Sequence, residues 1–466
     1  MGYNFKDCNR EQKYLLPPSL QELSPAKSAY GGWLPEKDLA WFVIDAVKQM
    51  ELNGFYQRYR KDGWGAASYN LQMMVSLLLY AYSLGQRSSR KIEQLCERDI
   101  GFRVVSANTK VDHTTLCRFR QKNEEELEKL FTEILKLCAK AGLVKVGLVG
   151  IDGTKIKANA VLAANRTSEH IEEEVKKWLL EAQAKDEEED RLYGKDKRGD
   201  ELPPELQKRE SRIKRLQECK KRLDEEAEAD REKQREKLAV RKKEEINSGQ
   251  KKRGRKPVTP EEKVNQKAKA NVTDPGSRIM KNSKGYVQGY NGQAVVTEQQ
   301  IIIVAEVTQE ENDVKQLRPM LEKTQENLKE IGIAGSPDIC LGDAGYWSKA
   351  NIDSSGEESP ELIIATSKDW KQRKALQEQP PPRGRIPKGL SQRELMERKL
   401  RTKRGRALYK KRGIIPEPVF GQIKTARGID SFLRRGLTAC ASEWKLICAT
   451  HNLLKLFRSG AVAWAC

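Results

Sequence analysis

Between residues 168 and 270 the chain is dominated by Glu, Lys, Arg and Gln and holds few aromatics. Such a stretch buries too little apolar surface to build a core. Strand-forming blocks lie on both sides of it. "GLVGIDGTKIKANA" precedes it at 147–160, and "GYVQGYNGQAVV", "IIIVAEVTQ", "DICLGDAGYW" and "ELIIAT" follow beyond residue 280. Any sheet must therefore be assembled across the insertion. "GYVQGYNGQAVV" and "IIIVAEVTQ" read as an antiparallel pair, and "VKQLRPMLEKTQENLKEIG" as an amphipathic helix stopped by Gly332. Within the insertion, Glu173–Lys177, Glu181–Lys185, Glu210–Lys214 and Glu218–Arg222 have the favourable i,i+4 order. Leu206, Ile213, Leu216 and Leu223 add a short heptad-like seam. A helical hairpin fits this pattern, and a largely disordered arm fits the composition.

The 466 residues suggest two or three domains. Residues 1–35, with Pro17, Pro18 and Pro25, read as an extended lead-in. A helical region follows over 36–145. Leu39, Phe42, Val43, Ala46, Val47 and Met50 share one face, and "YNLQMMVSLLLYAYSLG" is a more fully buried helix ending at Gly85. "SSRKIEQLCERD" offers Ser88 or Ser89 as N-cap and turns Ile92 and Leu95 inward; "DHTTLCRFRQ" starts from Asp112, with Leu116 and Phe119 inward and Arg118 and Arg120 outside. The two helices read equally as a helix-turn-helix and as an ordinary bundle with a charged surface. A core built from 146–167 and 271–460 encloses the 168–270 insertion and a second polar, Pro-rich, basic interruption at 367–405.

A formal charge of +20, with a pI near 9.4, favours a polyanionic partner, since each phosphate neutralised releases counterions. "KKRGRKPVTP" contains Arg253-Gly254-Arg255, similar to the Arg-Gly-Arg core of an AT-hook and equally at home in a solvated basic linker. Nine cysteines without a C-x-x-C pair argue for reduced thiols, and His113, His170 and His451 show no zinc-ligand spacing. There is no apolar signal core and no run of about 18 apolar residues. The expectation is a soluble cytoplasmic protein without a membrane partner.

Two strands share one oddity. Asp152 closes "LVGID" and Asp343 closes "ICLGD", each followed by a small residue, Gly153 or Ala344. Neighbouring carboxylates repel and both ionise comfortably only around a cation. Oxygen ligands without His or Cys suit Mg²⁺ or Mn²⁺, and a third acid would complete two metal sites for in-line displacement at phosphorus. Periodicity does not supply that acid uniquely. The candidate is Glu417 in "YKKRGIIPEPVFGQIKTARG": Pro418 fits a first helical turn, Glu417, Gly421 and Lys424 share a face, and Phe420 and Ile423 turn inward.

"GIDGTKIKANA", "GYNGQAVV", "LGDAGYWS" and "PEPVFGQIKTARG", in this order, resemble the blocks of DDE transposases of bacterial insertion sequences. These belong to the ribonuclease-H-like integrase superfamily. "SYNLQMMVSLLLYAYSLGQRSSRKIEQLCERD" with "DHTTLCRFR" resembles the helical domain that precedes their catalytic core. The resemblance implies an α/β ribonuclease-H-like core, a mixed sheet flanked by helices, behind an all-α N-terminal domain. It implies that Asp152, Asp343 and Glu417 hold two Mg²⁺ or Mn²⁺ ions, and that Tyr409, Arg412, Glu417 and Lys424 match a Tyr-Arg-Glu-Lys pattern. Four residues separate Arg412 from Glu417 here, against three in a related subgroup.

The implied reaction is cleavage of insertion-sequence ends and joining of the freed 3′-hydroxyl to target DNA. Candidate DNA contacts are Tyr409, Arg412, Lys424, Arg118, Arg120, Arg253, Arg255 and Trp347; Trp347 serves equally as a packing residue. Lys155, Lys157 and Asn159 read as phosphate contacts or as an exposed strand face. The partners are double-stranded DNA, as terminal inverted repeats and target, and a second copy in a synaptic homodimer on the bacterial nucleoid. A metal-dependent nuclease without strand transfer and an inactive transposase-derived DNA-binding protein are the alternatives.

Overall fold

The computed structural model describes residues 34–62, 64, 67–177, 204–248, 258–263, 268–282, 285–353 and 359–461. The lead-in up to residue 33, the Glu181–Lys185 pair, and Arg253 and Arg255 lie outside the described residues. The chain divides into two compact units, Met1–Ile156 with Tyr290–Cys466, and Lys157–Gly289.

Eight strands are described: β1 Leu148–Lys157, β2 Asn165–Thr167, β3 Lys269–Asn271, β4 Arg278–Asn282, β5 Gly285–Thr297, β6 Ile302–Thr308, β7 Ile339–Gly342 and β8 Glu361–Ile364. In the first unit a mixed sheet runs in the order β6–β5–β1–β7–β8. The expected β5–β6 pair is antiparallel, with Asn291 opposite Thr308. β1 and β7 are parallel, with Leu148, Val149 and Gly150 opposite Ile339, Cys340 and Leu341, and β7 pairs β8 in parallel. Helix Leu317–Glu330 packs on β6, and Gly332 takes a positive φ of 77° beyond it, where a residue without Cβ is at ease. The long helix Leu437–Ser459 packs on β6 and on two N-terminal helices, Leu71–Ser83 and Glu124–Lys140.

The N-terminal helices follow the apolar periodicity closely. Asp38, Asn70 and Asp112 cap helices Leu39–Lys48, Leu71–Ser83 and His113–Lys122 with side-chain acceptors. Two expectations for this region are corrected. In helix Ser89–Arg98 the inward positions are Ile92 and Cys96, while Leu95 is half-buried and Ser88 caps without a side-chain bond. Arg120 does not face outward: it is 8% exposed, and its guanidinium donates to the Tyr82 hydroxyl at 3.1 Å, the Arg87 carbonyl at 2.8 Å and the Ser89 hydroxyl. Those partners all lie within residues 82–89, where one helix hands over to the next, so the cation fastens helix His113–Lys122 to that turn. Arg118 is exposed.

The second unit has its own small core. Helix Pro204–Ser248 places Leu216, Cys219 and Leu223 against Ile171, Ala270 and Val272, so two residues of the heptad-like seam join a local cluster, while Ile213 is half-buried and the Leu206 side chain lies outside the described ones. Glu174 pairs with Arg212 at 2.6 Å and Glu172 with Lys220 at 3.0 Å, across elements. β2 and β3 form a short antiparallel ribbon, and β4 pairs with the start of β5.

One glycine of β1 carries the fold toward the site. A Cβ on Gly150 would stand 2.9 Å from Pro416 Cδ and 3.2 Å from Ile415 Cγ2. Glycine here lets helix Pro416–Gly421, which bears Glu417, lie directly on the strand bearing Asp152. Gly150→Ala is therefore expected to cost about 1–3 kcal/mol through overpacking. A fall in denaturation midpoint checks this; an unchanged midpoint contradicts the close approach.

Candidate active site

The parallel register brings the two aspartates together. Asp152 and Asp343 each lie two residues beyond the last paired positions, Gly150 and Leu341, so they leave the same face of adjacent strands. Asp152 stands inside β1, not at its end; only the pairing with β7 stops before it. Asp152 Oδ1 accepts from the Gly153 N–H, and Asp343 Oδ1 from the Gly345 N–H, both at 2.8 Å.

Burial first, and then the charge of Asp343, push the Asp152 carboxyl up to about 7. Burial likewise raises Asp343, with Arg412 opposing the shift. Two raised carboxyls made of hard oxygen donors fit a divalent cation, which would relieve both the burial and the repulsion. Arg412 supplies the positive charge in their midst. It is 5% exposed and lies 3.9 Å from Asp152 Oδ2, 3.0 Å from Glu417 Oε1 and 3.3 Å from Asp369 Oδ1. Burial disfavours its charge, but Asp152 and the other carboxylates hold it firmly protonated. The extra residue between Arg412 and Glu417 is absorbed in the turn at 413–415, so the contact survives the unusual spacing.

The remaining expected residues occupy distinct places. Tyr409 lies under the Arg412 guanidinium, 5.9 Å from ring centroid, and donates its hydroxyl to Asp369 at 3.0 Å. Lys424, in a π-turn over Gln422–Ala426, donates to the Lys155 carbonyl of β1 at 2.7 Å. Trp347 is half-buried just after the turn that carries Asp343. A cavity of about 530 Å³ opens beside Glu417, lined by Asp369, Arg373, Arg406, Tyr409 and Arg412.

Two acids escaped the sequence reading. Asp313 accepts from Asn291 at 2.6 Å and Gln293 at 2.7 Å, and lies 3.8 Å from Lys155. It adds to the charge around both Asp152 and Asp343. Asn291 and Gln293 are fully buried amides two residues apart on one face of β5, a need for partners that only the folded chain shows. Asp369 lies in the segment expected to be an interruption, yet it ties Tyr409 and Arg412 to the site.

Among the described residues, one group of three ligand atoms lies within 4.8 Å of one another, namely Glu93, Asp112 and His113. The Asp152–Asp343–Glu417 set is wider, with Arg412 between its members. A raised Asp152 carboxyl has a consequence for pH. Its contribution to stability is fully present below the unfolded value near 4 and is lost as pH rises through about 7. A divalent cation needs the ionised form, so Mn²⁺ is expected to raise the melting temperature clearly at about pH 8 and little at about pH 5.5. Equal increments at both values would contradict the assignment of the cation to Asp152.

All seven described cysteines are free thiols, and no described helix is long and apolar enough to cross a membrane. No curated protein and no solved structure matches the chain. A family model described as Transposase domain (DUF772) matches residues 30–122, and one described as Transposase DDE domain matches residues 258–453. Asp343 and Glu417 fall inside the second match, and Asp152 in the stretch between the two. DDE domains act on DNA and generally use divalent metal. With transposase models on both the N-terminal helices and the strands and helix that carry Asp343 and Glu417, the chain belongs to the DDE transposases of insertion sequences.

Proposed function

We propose that this transposase cleaves insertion-sequence ends and joins the freed 3′-hydroxyl to target DNA, on a ribonuclease-H-like core. The single observation that carries the reading is the parallel register of β1 and β7, which delivers Asp152 and Asp343 side by side with Glu417 tied in through Arg412. When bound, two Mg²⁺ or Mn²⁺ ions supply Lewis acidity at the attacking and departing oxygens. Asp152, Asp343 and Glu417 would hold them. Arg412 would grip a phosphate there, since its buried guanidinium keeps an unpartnered Nε beside its carboxylate contacts. Tyr409 orients that guanidinium, and Lys424 adds a cation beside β1. Trp347 closes the short turn that Asp343 opens, where a base displaced from the stack could rest on its ring. Residues 36–145, with Arg118 exposed, would read the terminal inverted repeats, and a synaptic homodimer would act on both ends.

The test is incubation of the full chain and Mg²⁺ with duplexes that carry the element ends and with a target plasmid. Joined products are expected. Cleavage without joining would instead support a nuclease, and binding alone an inactive reader.

A further inference from the structure

Residues 367–412 hold 17 Lys and Arg against 4 Asp and Glu, a net +13 out of the whole chain's +20. Charge this concentrated is the footprint of a polyanion. The segment forms helices Asp369–Glu378, Gln392–Arg401 and Lys403–Arg412, with the loop "QPPPRGRIPKG" at 379–389 between the first two. That loop is exposed yet its backbone is fastened at the base and behind the tip. Arg398 Nη2 donates to the carbonyls of Arg383, Gly384 and Arg385 at 3.3, 2.8 and 3.3 Å, and Arg406 donates to the Gln379 carbonyl.

The cations of the tip have no carboxylate partner among the described residues. Arg373, Arg393 and Arg404 elsewhere in the segment are each paired with a carboxylate, whereas Arg383, Arg385 and Lys388 make no salt bridge among the described residues. Ile386 beside them is 64% exposed. Gly384 separates the two arginines at a φ of 77°, and nothing lies within 4 Å of where its Cβ would be, so that side of the tip is open while Arg398 holds its carbonyls from the other.

We propose that residues 380–389 are a minor-groove contact, in which Arg383 and Arg385 enter the narrow groove of A·T-rich duplex and Ile386 lies against its floor. This rests on the reading of the chain as a DNA-processing enzyme. Narrow grooves concentrate negative potential that attracts arginine, and exposed apolar side chains are common wedges there. The missing side chain at Gly384 lets the backbone approach the duplex. Prolines 380–382 and 387 limit the conformations lost on docking. Helix Lys403–Arg412 connects this contact to the chemistry: Arg406 at the loop base and Arg412 among the carboxylates are six residues apart, about 9 Å along the axis. A duplex seated on the loop therefore runs close to Asp152, Asp343 and Glu417.

The experiment compares the full chain with its Arg383→Ala/Arg385→Ala variant in equilibrium binding, without divalent cation. Two duplexes of equal length are used, one an A·T tract and one G·C-rich, at one fixed salt concentration. The variant is expected to lose about tenfold or more on the A·T tract and far less on the G·C duplex. A small minor-groove ligand should displace the parent from the A·T tract. Equal losses on both duplexes would reduce the loop to a phosphate contact and overturn the proposal, as would no loss. A parent that binds neither duplex overturns the underlying functional reading, so the two failures are distinguishable. Both arginines are exposed, so an unchanged melting temperature separates lost contact from lost fold.

Discussion

Asp152→Asn is expected to abolish strand cleavage, a loss on the order of 10³-fold or more, while duplex binding persists. The side chain keeps its size, so the loss reports the missing charge. The stability of the variant makes the argument sharper. Burial and Asp343 hold the parent carboxyl up to about 7, so its ionised form burdens the cation-free fold above that pH. At about pH 8 without divalent cation, the variant should therefore melt at the same temperature as the parent or higher, the common trade between stability and function at strained sites. Asp343→Asn should behave alike. Glu417→Gln should lose activity too, but with little thermal effect, because its side chain is 43% exposed. Retained turnover in any of the three removes that residue from the set.

Arg87→Met should lower stability by about 3–5 kcal/mol, the usual consequence of leaving a buried charge without its partner. Arg87 donates to Glu443 Oε1 at 2.7 Å and to the Ser431 carbonyl at 2.6 Å, and the Glu443 side chain is wholly buried. Glu443 retains only the backbone N–H groups of Leu433 and Arg434, at 3.0 and 3.1 Å, once the guanidinium is gone. The pair links the turn that precedes helix Ser89–Arg98 to the helix Leu437–Ser459. Chemical denaturation reads the cost. Arg87→Met combined with Glu443→Leu should recover much of it, since removing both charges leaves none stranded. A single substitution costing under about 1 kcal/mol would show that water reaches the pair after all.

The strands, the helix before β7 and the two aspartates were legible because each is written in local pattern: an apolar run, then a carboxylate, then a small residue. Register converts those two local facts into one site, since parallel pairing of Gly150 with Leu341 carries Asp152 to Asp343. Glu417 was only a candidate from its helix face, singled out by the family resemblance, and Gly150 explains why that helix can come so close. Asp313 and Asp369 were not legible, because nothing near them in sequence requires a carboxylate; their partners are Asn291, Gln293, Tyr409 and Arg412, 20 to 43 positions away. Arg120 misled for the same reason. Its position on helix His113–Lys122 looks outward until Tyr82 and Arg87 are folded over it.

The account depends on Asp152 and Asp343 sharing a divalent cation. The most direct measurement is a crystal structure of the full chain with Mn²⁺ and an element-end duplex, with the metal located by anomalous scattering. A manganese peak touching both aspartates, with Glu417 drawn away from Arg412, is the predicted result. Manganese found only elsewhere, for instance at Glu93, Asp112 and His113, would contradict it.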